Sequence, residues 1–177
     1  SMENVADEAG IGIATLYRYY RTKSELVVAV GTHVWSNFIR DYMPIRNEDN
    51  TTASEELEFF LDSFLELYKN HKKLLCFNQF FNIYIRNEAI SKRALNSYNE
   101  MVDQLAMRFH KTYVKGKNDK TLCTEVSENS MFLSIMHLML AAITRYAVGL
   151  AYEKDIESDN ELVLLKNMLM HEFSRKK

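Results

Sequence analysis

Apolar residues recur at three- and four-residue steps along most of the chain, the period of helices that bury one stripe and wet the other. From Lys23 to about Met43 the stripe is Leu26, Val27, Val30, Val34, Phe38 and Tyr42, with Thr22 or Ser24 as the cap and Pro44 as the stop. From Ala53 to Asn70 it is Leu57, Phe60, Leu61, Phe64 and Tyr68. The acids of that segment, Glu55, Glu58, Asp62 and Glu66, share the opposite face, so they read as a solvated stripe and not as an acid–base pair. Leu74 to Ile85 is apolar almost all round, with Phe77, Phe80, Phe81 and Tyr84, which predicts a helix buried on most sides. Ser91 to about Lys115 is amphipathic through Leu95, Tyr98, Val102, Leu105, Phe109 and Tyr113, and the run Gly116-Lys117-Asn118-Asp119-Lys120 is expected to break it.

The last two segments are the most apolar. Met131 to Tyr152 is about long enough to span a bilayer, but Ser134, His137, Thr144 and Arg145 interrupt it. A buried bundle or subunit-interface helix is the better reading, with no membrane partner. Asn160 to Arg175 carries Leu162, Leu165, Met168, Leu169 and Phe173 on one side. Two such helices at the end of a chain suit a four-helix interface with their symmetry mates. Asn47 to Thr52 is a polar connector and marks the boundary between a module at 1–43 and a larger one at 44–177. Gly31, inside the first long helix, marks either close helix packing or a place where motion is accommodated.

The first twenty residues differ in pattern. Met2 to Ala9 is compatible with one short helix holding Val5, Ala6 and Ala9 inward, and Gly10 stands where a left-handed residue would stop it. Leu16 and Tyr20 then face one core from a second short helix. Two short helices about a tight glycine turn have the shape of a helix-turn-helix, whose second helix enters the major groove.

Composition narrows the classes. A single Pro and five Gly in 177 residues argue for an all-α chain. With 22 basic and 24 acidic residues the net charge is −2, so any DNA contact must come from a local patch. That patch exists: Arg18, Arg21 and Lys23 stand beside the hydroxyls of Thr15 and Tyr17, with no acid between Glu8 and Glu25. Cys76 and Cys123 are isolated and fit plain burial in a reducing cytoplasm. His33, His71, His110, His137 and His171 are scattered and no pair has ligand spacing, so no metal or other cofactor is expected. His171-Glu172-Phe173-Ser174 lacks the second His of a zinc-protease motif, and no nucleophile elbow, phosphate loop or dinucleotide fingerprint occurs. An enzyme is not expected.

The run Val5-Ala6, Ala9-Gly10-Ile11, Thr15-Leu16-Tyr17, Tyr19-Tyr20, Lys23 and Leu26 resembles the signature of the tetracycline-repressor (TetR) family of bacterial transcription regulators. The resemblance covers about the first 26 residues and extends beyond them in helical layout alone. It implies a helix-turn-helix DNA-binding domain followed by a larger helical ligand-binding and dimerisation domain, paired through its last two helices. Ser1 stands where a Ser or Thr caps the family's second helix. The family's first helix would then precede it, leaving a truncated three-helix head here. The preferred expectation is that this helix exists but is not ordered.

By the same resemblance Tyr17, Tyr19 and Lys23 contact phosphates, and Ile13, Ala14 and Thr15 approach base edges. Ile13 and Ala14 read only thymine methyls and shape, whereas Thr15 and Arg18 offer polar readout. Packing is the alternative role for Tyr17 and Tyr19. Gly12 replaces the usual capping Ser or Thr, and Ala14 replaces a common Gly. In the larger domain Phe64, Phe80, Phe81, Tyr84, Tyr98, Met101 and Met136 would line an apolar cavity, with Asn78, Gln79 or His137 fixing a ligand's orientation, unless they simply fill the core. The expected function is a dimeric repressor released from operator DNA by a small, largely apolar effector. The rival is a helical ligand carrier or interaction scaffold with a relic helix-turn-helix.

Overall fold

The computed structural model describes residues 1–43, 50–88, 90–149 and 158–175. Eight helices occupy these residues: α1 (Met2–Glu8), α2 (Ile13–Tyr19), α3 (Lys23–Tyr42), α4 (Ala53–Asn70), α5 (Lys72–Asn87), α6 (Lys92–Asp119), α7 (Glu128–Val148) and α8 (Ser158–Phe173). The all-α expectation holds. Pro44, the residues of the connector before Asn50, and Tyr152 lie outside the described residues.

α4 forms the middle of the body, packing against α5, α6, α7 and α8. Its start and length follow from its sequence. Thr52 accepts from the Glu55 backbone N–H while the Glu55 carboxylate accepts from the Thr52 N–H, a reciprocal cap. Leu57, Leu61, Phe64 and Leu67 are buried at helical spacing, and Glu55, Glu58 and Asp62 are exposed. Lys166 of α8 bridges Glu58 (3.0 Å) and Asp62 (2.5 Å), so the wet stripe also pins the last helix. Asp119, at the end of α6, accepts from the Ala53 N–H at 2.8 Å and from the Thr121 N–H and hydroxyl. Residues 121–123 then pair with the chain end, Cys123 N–H donating to the Phe173 carbonyl and Arg175 N–H to that of Thr121.

Several expectations need correction. The buried stripe of α3 is Val28, Gly31, Trp35, Phe38 and Ile39; Val30 and Tyr42 lie at the surface. Two apolar faces run along that helix, and the one holding Trp35 meets the body. Gly31 is a packing glycine: a Cβ there would lie 2.7 Å from Phe81 Cε2. α5 is amphipathic, burying Leu75, Asn78 and Phe81 while Phe80 is 68% exposed. α6 runs through Gly116 to Asp119 and stops at Lys120, in the left-handed region at φ 62°. Gly116 serves contact, not a turn, since a Cβ would lie 2.5 Å from Leu122 Cδ1. Met168 of α8 and Val102 of α6 point outward, and Cys76 and Cys123 are only half-buried.

α7 is long and apolar enough to cross a bilayer by length and composition. It packs here against α4, α5, α6 and α8, burying Met131, Ile135, Met139 and Ile143 at successive turns, as a bundle helix does.

Candidate nucleic-acid interface

The head is built around two caps and a turn. Ser1 accepts from the Asn4 N–H to open α1. At its end the Gly10 N–H donates to Asp7 O (3.1 Å) and the Ile11 N–H to Ala6 O (3.0 Å), the paired bonds of a Schellman motif. Gly10 takes φ 65°, which a Cβ would resist. Gly12 opens α2 in extended backbone with no side-chain cap. Thr22 then caps α3 by accepting from the Glu25 N–H, while the Glu25 carboxylate takes the Arg21 N–H at 2.8 Å.

Met2, Ala6 and Leu16 form the head's core, covered in part by Ile13, Tyr20 and Leu26. Leu16 and Tyr20 thus share a face as expected. Val5 and Ala9 do not point inward: Val5 is 40% exposed and Met2 takes the buried position. With one short helix opposite, α1 can bury a single stripe, and Met2 and Ala6 occupy it.

The sites named from the sequence fall into three groups. Tyr17 (46% exposed), Arg18, Tyr19 (68% exposed) and Ala14 face outward from α2. Arg18 lies over the Tyr19 ring at 5.1 Å and donates to its hydroxyl at 3.4 Å, so the two form one cationic, hydroxyl-bearing surface. Thr15 is half-buried, and Ile13 is half-buried against the head core, so part of the Ile13 side chain is committed to packing. Lys23 is exposed at the start of α3, with its ammonium 5.5 Å from the centre of the Tyr84 ring. An open cleft of about 690 Å³ is lined by Arg18, Tyr19, Arg21 and Arg93, with Glu25 and His33 also on its wall.

The body's candidates fall in different surroundings. Phe64, Phe81 and Met101 are buried in packed helix faces, and Tyr98 is tilted against Phe81. Burial raises the Tyr98 phenol's pKa. Phe80 points outward. Tyr84 sits at the joint with the head, its hydroxyl 3.2 Å from Ser24 Oγ. Met136 and His137 line a groove between α5 and α7 with Asn78 and Gln79. Among the described residues no cluster of His, Cys, Asp or Glu is arranged to hold a metal ion.

Three ties escaped the sequence reading. Besides Ser24–Tyr84, Trp35 Nε1 donates to Asn78 Oδ1 at 3.2 Å, and Arg108 donates to the carbonyls of Ile39 and Met43 at the end of α3. α3 is therefore fastened to the body near its start, middle and end. Single polar pairs between distant helices leave no periodic trace.

Residues 1–30 match the family described as bacterial regulatory proteins, tetR family. A helix-turn-helix-type transcriptional regulator of Staphylococcus aureus (strain MRSA252) is 36% identical over 75 residues, covering 42% of this chain and 40% of that protein. Another, from S. aureus (strain MSSA476), is 27% identical over 165 residues, covering 90% of this chain and 85% of that one. Among solved structures, the ketosteroid transcriptional regulator KstR2 of Mycobacterium tuberculosis superposes with a TM-score of 0.69 at 12% identity, covering 99% of this chain and 85% of its own. The regulator FadR of Bacillus subtilis, solved with stearoyl-CoA, gives 0.69 at 16% identity over 97% of this chain and 85% of its own. These structural likenesses establish a shared fold, an N-terminal helix-turn-helix on a helical body.

Proposed function

The chain belongs to the TetR family of bacterial transcriptional regulators, a family of regulators rather than enzymes, and on that premise we propose that it is a homodimeric repressor released from operator DNA by a small, largely apolar ligand. Residues 1–43 are the DNA-binding head with its connecting helix, and 44–177 the ligand-binding and dimerisation body. The observation that carries the reading is the outward face of α2, where Tyr17, Arg18 and Tyr19 are exposed together with no acid between Glu8 and Glu25. Tyr17, Tyr19 and Lys23 clamp phosphates, which position the head without reading sequence. Thr15 and Arg18 supply polar readout, and Ala14 with the free part of Ile13 meets thymine methyls.

Pairing uses α7 and α8. Their outward sides carry exposed Leu133, Leu138, Leu164 and Met168, apolar surface on adjacent helices that a second copy would cover. Operator DNA places the protein in the bacterial cytoplasm. α3 carries the signal: a ligand that prefers one disposition of this helix changes the spacing of the two recognition helices, and a coupling of about 1–3 kcal/mol changes DNA affinity roughly 5–150-fold.

A salt titration of full-length protein on genomic DNA fragments tests this reading against the ligand-carrier rival. Retention of particular fragments with affinity falling steeply as salt rises is the expected result. No retention at low salt would favour the carrier. Lys23→Ala should weaken binding alike on all fragments, whereas Thr15→Ala should change which fragments are preferred.

A further inference from the structure

α3 and α6 pack against each other and run in the same direction. Arg108 of α6 donates to carbonyls at the end of α3, whereas Ser91, Arg93 and Ala94 at the start of α6 share a cleft with Glu25, Val28 and Thr32 from the first half of α3. The start of α6 is thereby brought to the head, whose Arg18 and Arg21 line the same cleft. At about 690 Å³ the space suits a small molecule.

Charge in this cleft is unbalanced. Arg18 and Arg21 enter from the head and Arg93 from the body, against the carboxylate of Glu25, so three guanidiniums less one carboxylate leave two positive charges. One oxygen of that carboxylate is already taken by the Arg21 backbone N–H at 2.8 Å. Arg18 donates to the Tyr19 hydroxyl, and among the described residues the guanidiniums of Arg21 and Arg93 have no hydrogen-bond or ion-pair partner. Neutral donors stand beside them. The hydroxyls of Ser36 and Ser97 line the cleft without a partner among the described residues. Asn37 Oδ1 accepts from Arg40, so its Nδ2 donates to His33 Nε2 at 3.0 Å, which leaves His33 Nδ1 as a donor. A phosphomonoester brings a charge of about −1.5 to −2 at neutral pH and three acceptor oxygens. Guanidinium forks meet such oxygens two at a time.

We propose that this cleft binds the phosphate group of a small molecule, clamped between Arg18 and Arg21 of the head and Arg93 of the body. Arg18 is also a polar reader on the recognition helix, so the occupant and operator DNA compete for one side chain. The occupant opposes DNA at the contact surface itself, with no signal passed through the body. That consequence rests on the DNA-binding reading above, whereas the site does not.

Pyrophosphate is the probe. Full-length protein is titrated by calorimetry without DNA, and DNA retention is then measured against pyrophosphate with sodium chloride holding the ionic strength constant. Pyrophosphate should bind saturably and weaken DNA retention beyond the chloride control. Arg93→Ala, at an exposed position, should weaken pyrophosphate about tenfold or more while leaving the urea midpoint and DNA retention without probe unchanged. Arg93→Lys should keep part of the affinity, because an ammonium supplies the charge without the fork. Lys92→Ala removes an exposed charge next door that does not line the cleft, and it should change neither binding nor retention.

Equal pyrophosphate affinity in wild type and Arg93→Ala overturns the proposal, as does an equal loss in Lys92→Ala, which would make the attraction diffuse. Weaker DNA retention in Arg93→Ala, with a salt slope lower by about one, would give the cleft to a backbone phosphate of the operator and overturn it too. Pyrophosphate binding that leaves DNA retention at the chloride level overturns the competition. DNA retention without any pyrophosphate binding defeats the cleft alone. Pyrophosphate binding that obeys these variants in a protein that never retains DNA supports the cleft and defeats the regulator reading.

Discussion

The head and the body of this molecule are held together by different means. In the body, Leu57, Leu61, Leu67, Met131, Ile135, Met139 and Ile143 are sealed from solvent in one continuous cluster. In the head, Met2, Ala6 and Leu16 are the whole buried set among the described residues, and this set is separate from the body's cluster. So small a core orders few residues by hydrophobic burial alone, and caps and turn geometry carry a larger share. The body is held by one continuous core that runs through several helices. The head is a surface held in place by Ser1, Gly10 and Thr22, and by the start of α3.

Four substitutions sharpen this contrast. Leu61→Ala empties a fully buried position on the central helix and should cost about 2–5 kcal/mol, lowering the main urea transition of the chain. Leu16→Ala removes the largest apolar side chain of the head core. It should abolish DNA retention at a cost of roughly 2–3 kcal/mol to the head, with the body's urea midpoint unmoved. A shared loss of midpoint would show that head and body are one cooperative unit.

Gly116→Ala pits two effects against each other. Helix propensity favours Ala by about 1 kcal/mol. The new methyl, however, would lie 2.5 Å from Leu122 Cδ1 and 2.8 Å from its Cβ. Leu122 is buried and paired into the chain end, so it cannot swing aside. Overpacking of about 1–3 kcal/mol should win, for a net loss near 1 kcal/mol in thermal or urea unfolding.

The smallest effect is electrostatic. Burial alone would raise the Asp119 carboxyl, but its bonds from Ala53 and Thr121, helped by Lys115, hold it below its ordinary 3.8. A carboxylate whose pKa is lower folded than unfolded stabilises fully above the unfolded value, and the contribution disappears as pH falls through the folded value. Asp119→Asn should therefore lower the urea midpoint slightly at neutral pH and leave it unchanged at a pH below both values, a difference that urea midpoints across pH would show.

The same contrast separates what was legible in the sequence from what was not. α4 could be read from Ala53 to Asn70 because one apolar stripe, one acidic stripe and a reciprocal cap all agree. Gly10 could be read because a left-handed stop between two short helices admits little else. Along α3 both Val27-Val30-Val34 and Val28-Trp35-Ile39 are apolar, and only the packed body decides between them. Gly116 looks the same in sequence as a turn or as a contact, and Leu122 settles the matter. In the head, the basic surface of Arg18, Tyr19 and Lys23 was visible as a gap in the acids. The link from Asn78 to Trp35 was not, because a hydrogen bond across 43 positions has no local signature.

The central claim is that a rigid pair of bodies sets two small heads on DNA at a fixed spacing. The direct measurement selects operators from random-sequence DNA with full-length protein and then inserts half a helical turn, about 5 base pairs, at the centre of the recovered site. The account predicts an inverted repeat with half-site centres about one turn apart, or a multiple of it, and loss of binding on insertion. Recovery of no common sequence, or binding indifferent to the insertion, would contradict it.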